Sequence, residues 1–138
     1  MVFEDIPVSL DFYGKPAKVV NKPWGREEWL NLDERGCYKR ILITRGTKTS
    51  FQYHERKEET NYIVSGQAEF WLENDLGEIE KKTCGPGTFM TVKPPKKHRV
   101  IALTDLILLE TSTPEVDDVI RISDDYQRPG GRIDSEHK

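Results

Sequence analysis

Gln67-Ala68-Glu69-Phe70-Trp71-Leu72-Glu73 alternates its side chains, with Ala68, Phe70 and Leu72 on one face and Gln67, Glu69 and Glu73 on the other. A period of two marks a strand with one buried face. Working outward, Tyr38-Lys39-Arg40-Ile41-Leu42-Ile43 and the run from His98 to Leu109 are rich in β-branched and large apolar residues, which suit strands. Turn formers separate these runs: Arg45-Gly46, Ser65-Gly66, Asn74-Asp75-Leu76-Gly77, Gly85-Pro86-Gly87 and Pro94-Pro95. No segment repeats apolar residues at i, i+3, i+4 and i+7 over three turns, so helices are not expected. Many short strands at close spacing predict an all-β sandwich or barrel.

A chain of 138 residues suits one domain around one core. Residues 22–128 are expected to form that body, preceded by an arm at 1–21 and followed by a polar, mobile tail at 129–138. Apolar runs are short, as in Leu106-Ile107-Leu108-Leu109, so no membrane-spanning helix is expected. The start, MVFEDIPVSLDFYGK, has early acids and no continuous apolar stretch, unlike a secretory signal; the expected location is the cytoplasm. Cys37 and Cys84 show no CxxC spacing and are expected to be reduced and structural. With 21 Lys+Arg against 24 Asp+Glu, the chain lacks the basic excess of nucleic-acid binders, so neither nucleic acid nor membrane is expected as a partner. From Lys81 to Thr104 there are six Lys/Arg and no acid, which reads either as a solvated face or as a local anion site.

His137 lies in the polar tail, while His54 and His98 sit in more informative surroundings. Gln52 and His54 are two apart and project to the same side of a strand. Glu59 follows five residues later. His98 is in phase with Val100 and Ala102, whose small apolar side chains suit a barrel interior, while Arg99 takes the other face. A neutral amide, two imidazoles and a carboxylate converging in a dry barrel would form a site for one divalent transition metal. Zinc is the first choice, and manganese, iron, cobalt and nickel accept the same donors. Taken singly, each histidine also reads as an ordinary polar partner, and Glu59, within the charged run Glu55-Arg56-Lys57-Glu58-Glu59, as a surface loop residue.

These residues resemble the motifs of the cupin superfamily, small jelly-roll barrels. Gly46, Gln52, His54, Glu59 and Gly66 hold the spacing of the first cupin motif, with Gln52 in place of its first histidine. Gly87, Lys93, Pro95, His98 and Ala102 hold that of the second, with Lys93, Pro95 and Ala102 in place of its Pro, Gly and Asn. The stretch SFQYHERKEETNYIVSG at 50–66 resembles the cupin domain of type II (bifunctional) mannose-6-phosphate isomerases. Agreement extends to Lys22-Pro23-Trp24-Gly25 with Glu28, to Tyr38-Lys39-Arg40-Ile41, and to Asp117-Asp118-Val119-Ile120-Arg121-Ile122 followed by Asp124-Asp125-Tyr126 and Arg128. The departures are Lys57 for the family's arginine, Asn61 for its tryptophan, and Glu55 and Arg56 after the histidine.

The resemblance implies a single jelly-roll barrel whose metal is held by Gln52, His54, Glu59 and His98. It implies a sugar-phosphate aldose–ketose isomerase working through an enediol or enediolate, a small phosphorylated sugar as partner, and a homodimer. Arg121, Lys39 and Lys57 are the candidates for catalysis, Arg121 for charge rather than proton transfer because guanidinium stays protonated. Their ordinary readings are a strand-surface lysine for Lys39 and a salt bridge with Asp117, Asp118 or Asp124 for Arg121. Trp24 reads as a packing anchor at the barrel mouth. The alternatives are another metal-binding cupin, namely a different sugar isomerase or epimerase or an oxygenase, and a non-catalytic sugar-sensing cupin.

Overall fold

The computed structural model describes residues 3–133. After a single 3-10 turn at Phe3–Asp5, the strands in chain order are β1 (Lys18–Lys22), β2 (Gly25–Asp33), β3 (Gly36–Ile43), β4 (Phe51–Tyr53), β5 (Glu59–Ser65), β6 (Ala68–Glu73), β7 (Ile79–Cys84), β8 (Phe89–Val92), β9 (His98–Ala102), β10 (Leu106–Ser112), β11 (Val119–Ser123) and β12 (Gly131–Ile133). They form two antiparallel sheets, ordered β1-β2-β3-β10-β5-β8 and β12-β11-β4-β9-β6-β7. Strand β10 enters between β3 and β5, and β9 between β4 and β6, so the chain crosses repeatedly from one sheet to the other. The all-β architecture expected from the alternation is present, as the two-sheet jelly roll that the cupin resemblance implies. Among the described residues, no helix is long and apolar enough to cross a membrane.

The core fills the space between the sheets. Ile41, Ile43, Ile63, Val92, Leu106 and Leu108 from the first sheet meet Ala68, Phe70, Val100 and Ala102 from the second. Period-two burial in β6 puts Ala68 and Phe70 in this core with Leu72 packed against it, on the face expected from residues 67–73. The expected turns all fall between strands. Gly66 is required where it stands: its φ is +95°, and an added Cβ would lie 2.2 Å from the carbonyl oxygen of Asp105.

One expectation is corrected. The apolar run from His98 to Leu109 is two strands in opposite sheets, because polar side chains close a turn at its middle. Thr104 Oγ1 accepts from Gln67 N at 3.0 Å and Asp105 Oδ1 from Arg45 N at 2.9 Å. The arm is partly structure: its residues from Lys18 onward pair with β2, and Arg26 and Arg40 bind the carbonyls of Ile6 and Pro7, both at 2.8 Å. The tail is ordered as far as β12, which pairs with β11 and places Arg132 beside Asp118 and Glu55. Residues 134–138, with His137, lie outside the described residues.

Candidate metal centre

One end of the interior is polar. Gln52 on β4 stands opposite His98 at the start of β9 and opposite Arg121 on β11. The loop after β4 carries His54 across to Glu59 at the start of β5, in the facing sheet. His54, Glu59 and His98 therefore meet from two sheets, all buried, with donor atoms within 4.8 Å of one another. His54 Nε2 stands 2.6 Å and His98 Nε2 3.0 Å from the same Glu59 Oε1. Asn61 Nδ2 donates to the other oxygen, Glu59 Oε2, at 3.1 Å, so the carboxylate cannot swing away.

The tautomers decide what this cluster can hold. His54 Nδ1 donates to the Asp118 carbonyl at 2.5 Å and His98 Nδ1 to the Lys96 carbonyl at 3.1 Å. A carbonyl only accepts, so both Nδ1 atoms carry hydrogen and both Nε2 atoms turn their remaining valence toward Glu59. Three lone-pair donors facing one point require positive charge between them. Protonating both rings would put two imidazolium ions, with centroids 4.9 Å apart, in a buried space beside Lys57. A divalent ion satisfies all three donors at once, and the backbone bonds at Nδ1 are of the kind that orient metal-ligating histidines. The donor set fits a metal such as zinc.

Gln52 lines the same cavity, with its Oε1 accepting from Ser50 Oγ at 2.6 Å. A second oxygen lone pair remains available to it. Arg121 is buried in the cavity wall and donates to the Pro129 carbonyl at 3.0 Å. Of the acids that read as its salt-bridge partners, Asp118 is bound by Arg132 and Asp124 by Arg128.

Lys39 is no surface lysine: it is 2% exposed, 3.0 Å from Glu27 and 3.7 Å from Glu110. Lys57 is also buried and stands 3.7 Å from Glu110. Glu27, Lys39, Glu110, Lys57 and Glu59 thus alternate acid and base through the interior. Burial alone would depress the Lys57 pKa, yet the charges of Glu110, Glu59 and Glu27 outweigh it and hold the ammonium charged. Burial likewise opposes ionisation of Glu59, but the Lys57 charge, the largest opposing influence, holds its pKa well below the ordinary value. Glu110 goes the other way: burial first, then the neighbouring Glu59 charge, push it up to about 8.

Glu27 and Glu110 were not among the residues singled out from sequence. Parity was the available signal, since Glu110 shares a face with Leu106 and Leu108. Arg99 was expected outside the barrel, and it does lie on that face, yet it is buried against Trp71, its guanidinium 5.6 Å from the ring centroid. Trp24 is a packing residue, as expected, within the core cluster and lining the cavity.

Asp118 steadies the loop that carries His54 and Glu59. Its Oδ2 accepts from Arg56 N at 2.6 Å and Lys57 N at 3.0 Å. Burial works against its ionised form, and these backbone bonds together with Arg132 more than reverse that, so its pKa lies below the usual 3.8. Because the folded pKa is the lower one, the stabilisation is full well above the unfolded value of 3.8 and is lost as pH falls through the folded pKa. Asp118→Ala leaves two backbone donors unpaired; chemical denaturation should show a loss of about 2 kcal/mol at pH 7 that shrinks in acid. Titration should show metal affinity falling about tenfold.

No protein-family model matches the chain. It is 31% identical over 112 residues to the mannose-1-phosphate guanylyltransferase of Escherichia coli, a match covering 79% of this chain and 23% of that protein. The chain thus spans about a quarter of the length of such curated relatives. Among solved structures, it is similar to the capsular polysaccharide assembling protein CapF from Staphylococcus aureus, with TM-score 0.69, 15% identity, and coverage of 80% of this chain and 35% of that one. It is also similar to an RmlC-like cupin from Shewanella frigidimarina, with TM-score 0.62, 20% identity, and coverage of 74% and 87%.

Proposed function

The chain is a cupin by fold, and from that premise we propose that it is a divalent-metal-dependent isomerase of a small phosphorylated sugar. The observation that carries this reading is the buried convergence of His54, Glu59 and His98, both Nδ1 atoms committed to backbone carbonyls, at a cavity walled by five cations. Those are Lys22, Lys39, Lys57, Arg121 and Arg128. Similarity to mannose-1-phosphate guanylyltransferase supports a sugar, and the resemblance of residues 50–66 to mannose-6-phosphate isomerases supports the reaction. His54, Glu59 and His98, with Gln52 as a fourth donor, would hold zinc first, or manganese, iron, cobalt or nickel. When bound, the ion supplies Lewis acidity that favours negative charge on a sugar oxygen.

The chain's own residues divide the remaining work. The cavity is about 70 Å³, enough for the reacting end of a sugar but not for a whole sugar phosphate. The lining residues left partly open to solvent are Lys22, Thr49, Gln52 and Arg128. Lys22 and Arg128 at this mouth, with Arg121 behind them, would take the phosphate. Lys57, whose charged form the neighbouring acids favour, would face the charge that develops as a proton moves from C2 to C1 through an enediolate, with no net gain or loss of atoms, and would stabilise charge rather than accept the proton. Lys39 stands in the same wall, paired with Glu27.

That pairing favours a second reading, in which a cupin binds a phosphorylated sugar without turning it over. The two readings separate on one experiment. Metal-loaded protein is incubated with mannose 6-phosphate, and fructose 6-phosphate is followed alongside the melting temperature. Turnover with stabilisation is expected; stabilisation alone supports the binding reading; neither effect across several sugar phosphates and metals overturns both. Arg121→Ala should raise KM for the phosphorylated sugar at least about tenfold, and a KM unchanged from wild type would remove Arg121 from the anion site. The unpaired thiols Cys37 and Cys84 support a reducing, cytoplasmic setting. A homodimer completes the reading.

A further inference from the structure

The N-terminal arm carries a feature that the metal centre does not use. Residues 9–17 form a short hairpin in which Leu10 bridges Pro16 and Ala17 N donates to Ser9 O at 2.9 Å. The Asp11 carboxylate closes the turn, accepting from Tyr13 N and Lys15 N, both at 2.8 Å. Both ends of the hairpin are fastened. Before it, Ile6 and Pro7 are held by Arg26 and Arg40, and Ser9 Oγ donates to the buried Glu28 at 3.2 Å. After it, the chain runs directly into β1. The turn is therefore held in place, and it presents Phe12, 96% exposed, and Tyr13, 85% exposed, packed edge to face at 5.5 Å. Two adjacent rings fixed in water forgo the stabilisation that burial would give them.

Beside the tip lies an open groove of about 540 Å³ between the hairpin stem and β2, with Leu10, Pro16, Lys18, Trp29, Leu30 and Leu32 among its walls. Neither ring lines it. We infer that a second copy of the chain docks here about a two-fold axis, the Phe12–Tyr13 tip of each protomer seated in the groove of the other.

A projection and a recess on one face are what an isologous contact needs: the rotation that brings one tip to its partner's groove also brings the partner's tip back. The groove falls in the range of roughly 300–1,000 Å³ that accepts bulky apolar groups. Each aromatic side chain contributes about 150–250 Å². Four rings and the walls they cover therefore pass the roughly 1,000 Å² expected of a specific interface. The tip is uncharged, and Asp11, Lys15 and Lys18 flank the recess, giving an apolar centre with a charged rim. This assignment rests on the homodimer in the proposed function and adds its surface and seating.

Light scattering on the full chain tests it. Wild type should run at about twice 16.0 kDa at micromolar concentration. The double variant Phe12→Ser/Tyr13→Ser changes only exposed positions, so its melting as a monomer and its metal binding should match wild type. Its dimer should be at least about 100-fold weaker. Leu30→Glu on the groove wall should do the same from the other side. A monomeric wild type overturns the homodimer and this interface together. Wild-type dimer affinity in both variants leaves the homodimer standing and overturns the interface.

Discussion

His98→Ala and His54→Ala should each abolish stoichiometric metal binding. Elemental analysis of protein purified with zinc should give about one ion per chain for wild type and below about 0.1 for either variant. Each substitution removes one of the two imidazoles, and the donors that remain, Glu59, the other histidine and the neutral amide of Gln52, cannot close a tetrahedral or octahedral shell from the protein. Calorimetry should agree: added metal raises the melting temperature of wild type, since binding only to the folded state adds RT ln(1 + [L]/Kd) to its stability, and leaves the variants unmoved. Isomerase activity should vanish with the metal. Full metal content in either variant would mean that His54, Glu59 and His98 form a hydrogen-bonded cluster and no more. Such a result would remove the foundation of the isomerase and leave the jelly roll untouched.

Lys57→Met should be the most damaging single change to stability. The ammonium is buried near Glu59, Glu110 and Glu27, and an apolar chain of similar length leaves the buried Glu59 carboxylate without the charge that most favours its ionised form. Removing one member of a buried ionic group costs about 3–5 kcal/mol, because the partner's charge stays buried and uncompensated. For a domain of this size that is a fall in Tm of about 10–20 °C. Above pH about 8, where Glu110 is ionised, Glu110→Leu added to Lys57→Met should recover part of the loss, since removing both members of a pair also removes the stranded charge. A variant melting within about 2 °C of wild type, or a double variant worse than the sum of the singles, would show that Lys57 is not the charge that keeps this end of the barrel folded.

The fold was legible because its main signal is local. Ala68, Phe70 and Leu72 alternate with Gln67, Glu69 and Trp71, and no knowledge of partners is needed to see which face is buried. His54, Glu59 and His98 were legible for a different reason: their spacing resembles two motifs, and motif spacing survives without coordinates. The charge ladder was not legible. Glu27 and Glu110 lie 83 positions apart, and each looks like a strand residue facing water until Lys39 on β3 is seen to sit between them. Burying a charge is affordable only with a partner, and here the partners come from strands that become neighbours only when the sheet is assembled. The ordinary reading of Lys39 as a strand-surface residue failed for the same reason. The division of the run from His98 to Leu109 was hidden because Leu103, Thr104 and Asp105 include neither Gly nor Pro. What turns the chain there is Thr104 and Asp105 bonding to Gln67 and Arg45, contacts that span dozens of residues.

The two bonds that orient the imidazole rings end on main-chain oxygens, those of Asp118 and Lys96. Every amino acid carries that oxygen, so exchange of the side chain at 96 or 118 leaves the acceptor itself in place. The lysine at 96 is meanwhile engaged elsewhere, with Asn74 and Asp75. Ring orientation is thereby insulated from the genetic code at its own supports, and only a shift of the backbone path can disturb it. Side chains at 96 and around the cavity mouth can accordingly change while the imidazole edges keep facing inward.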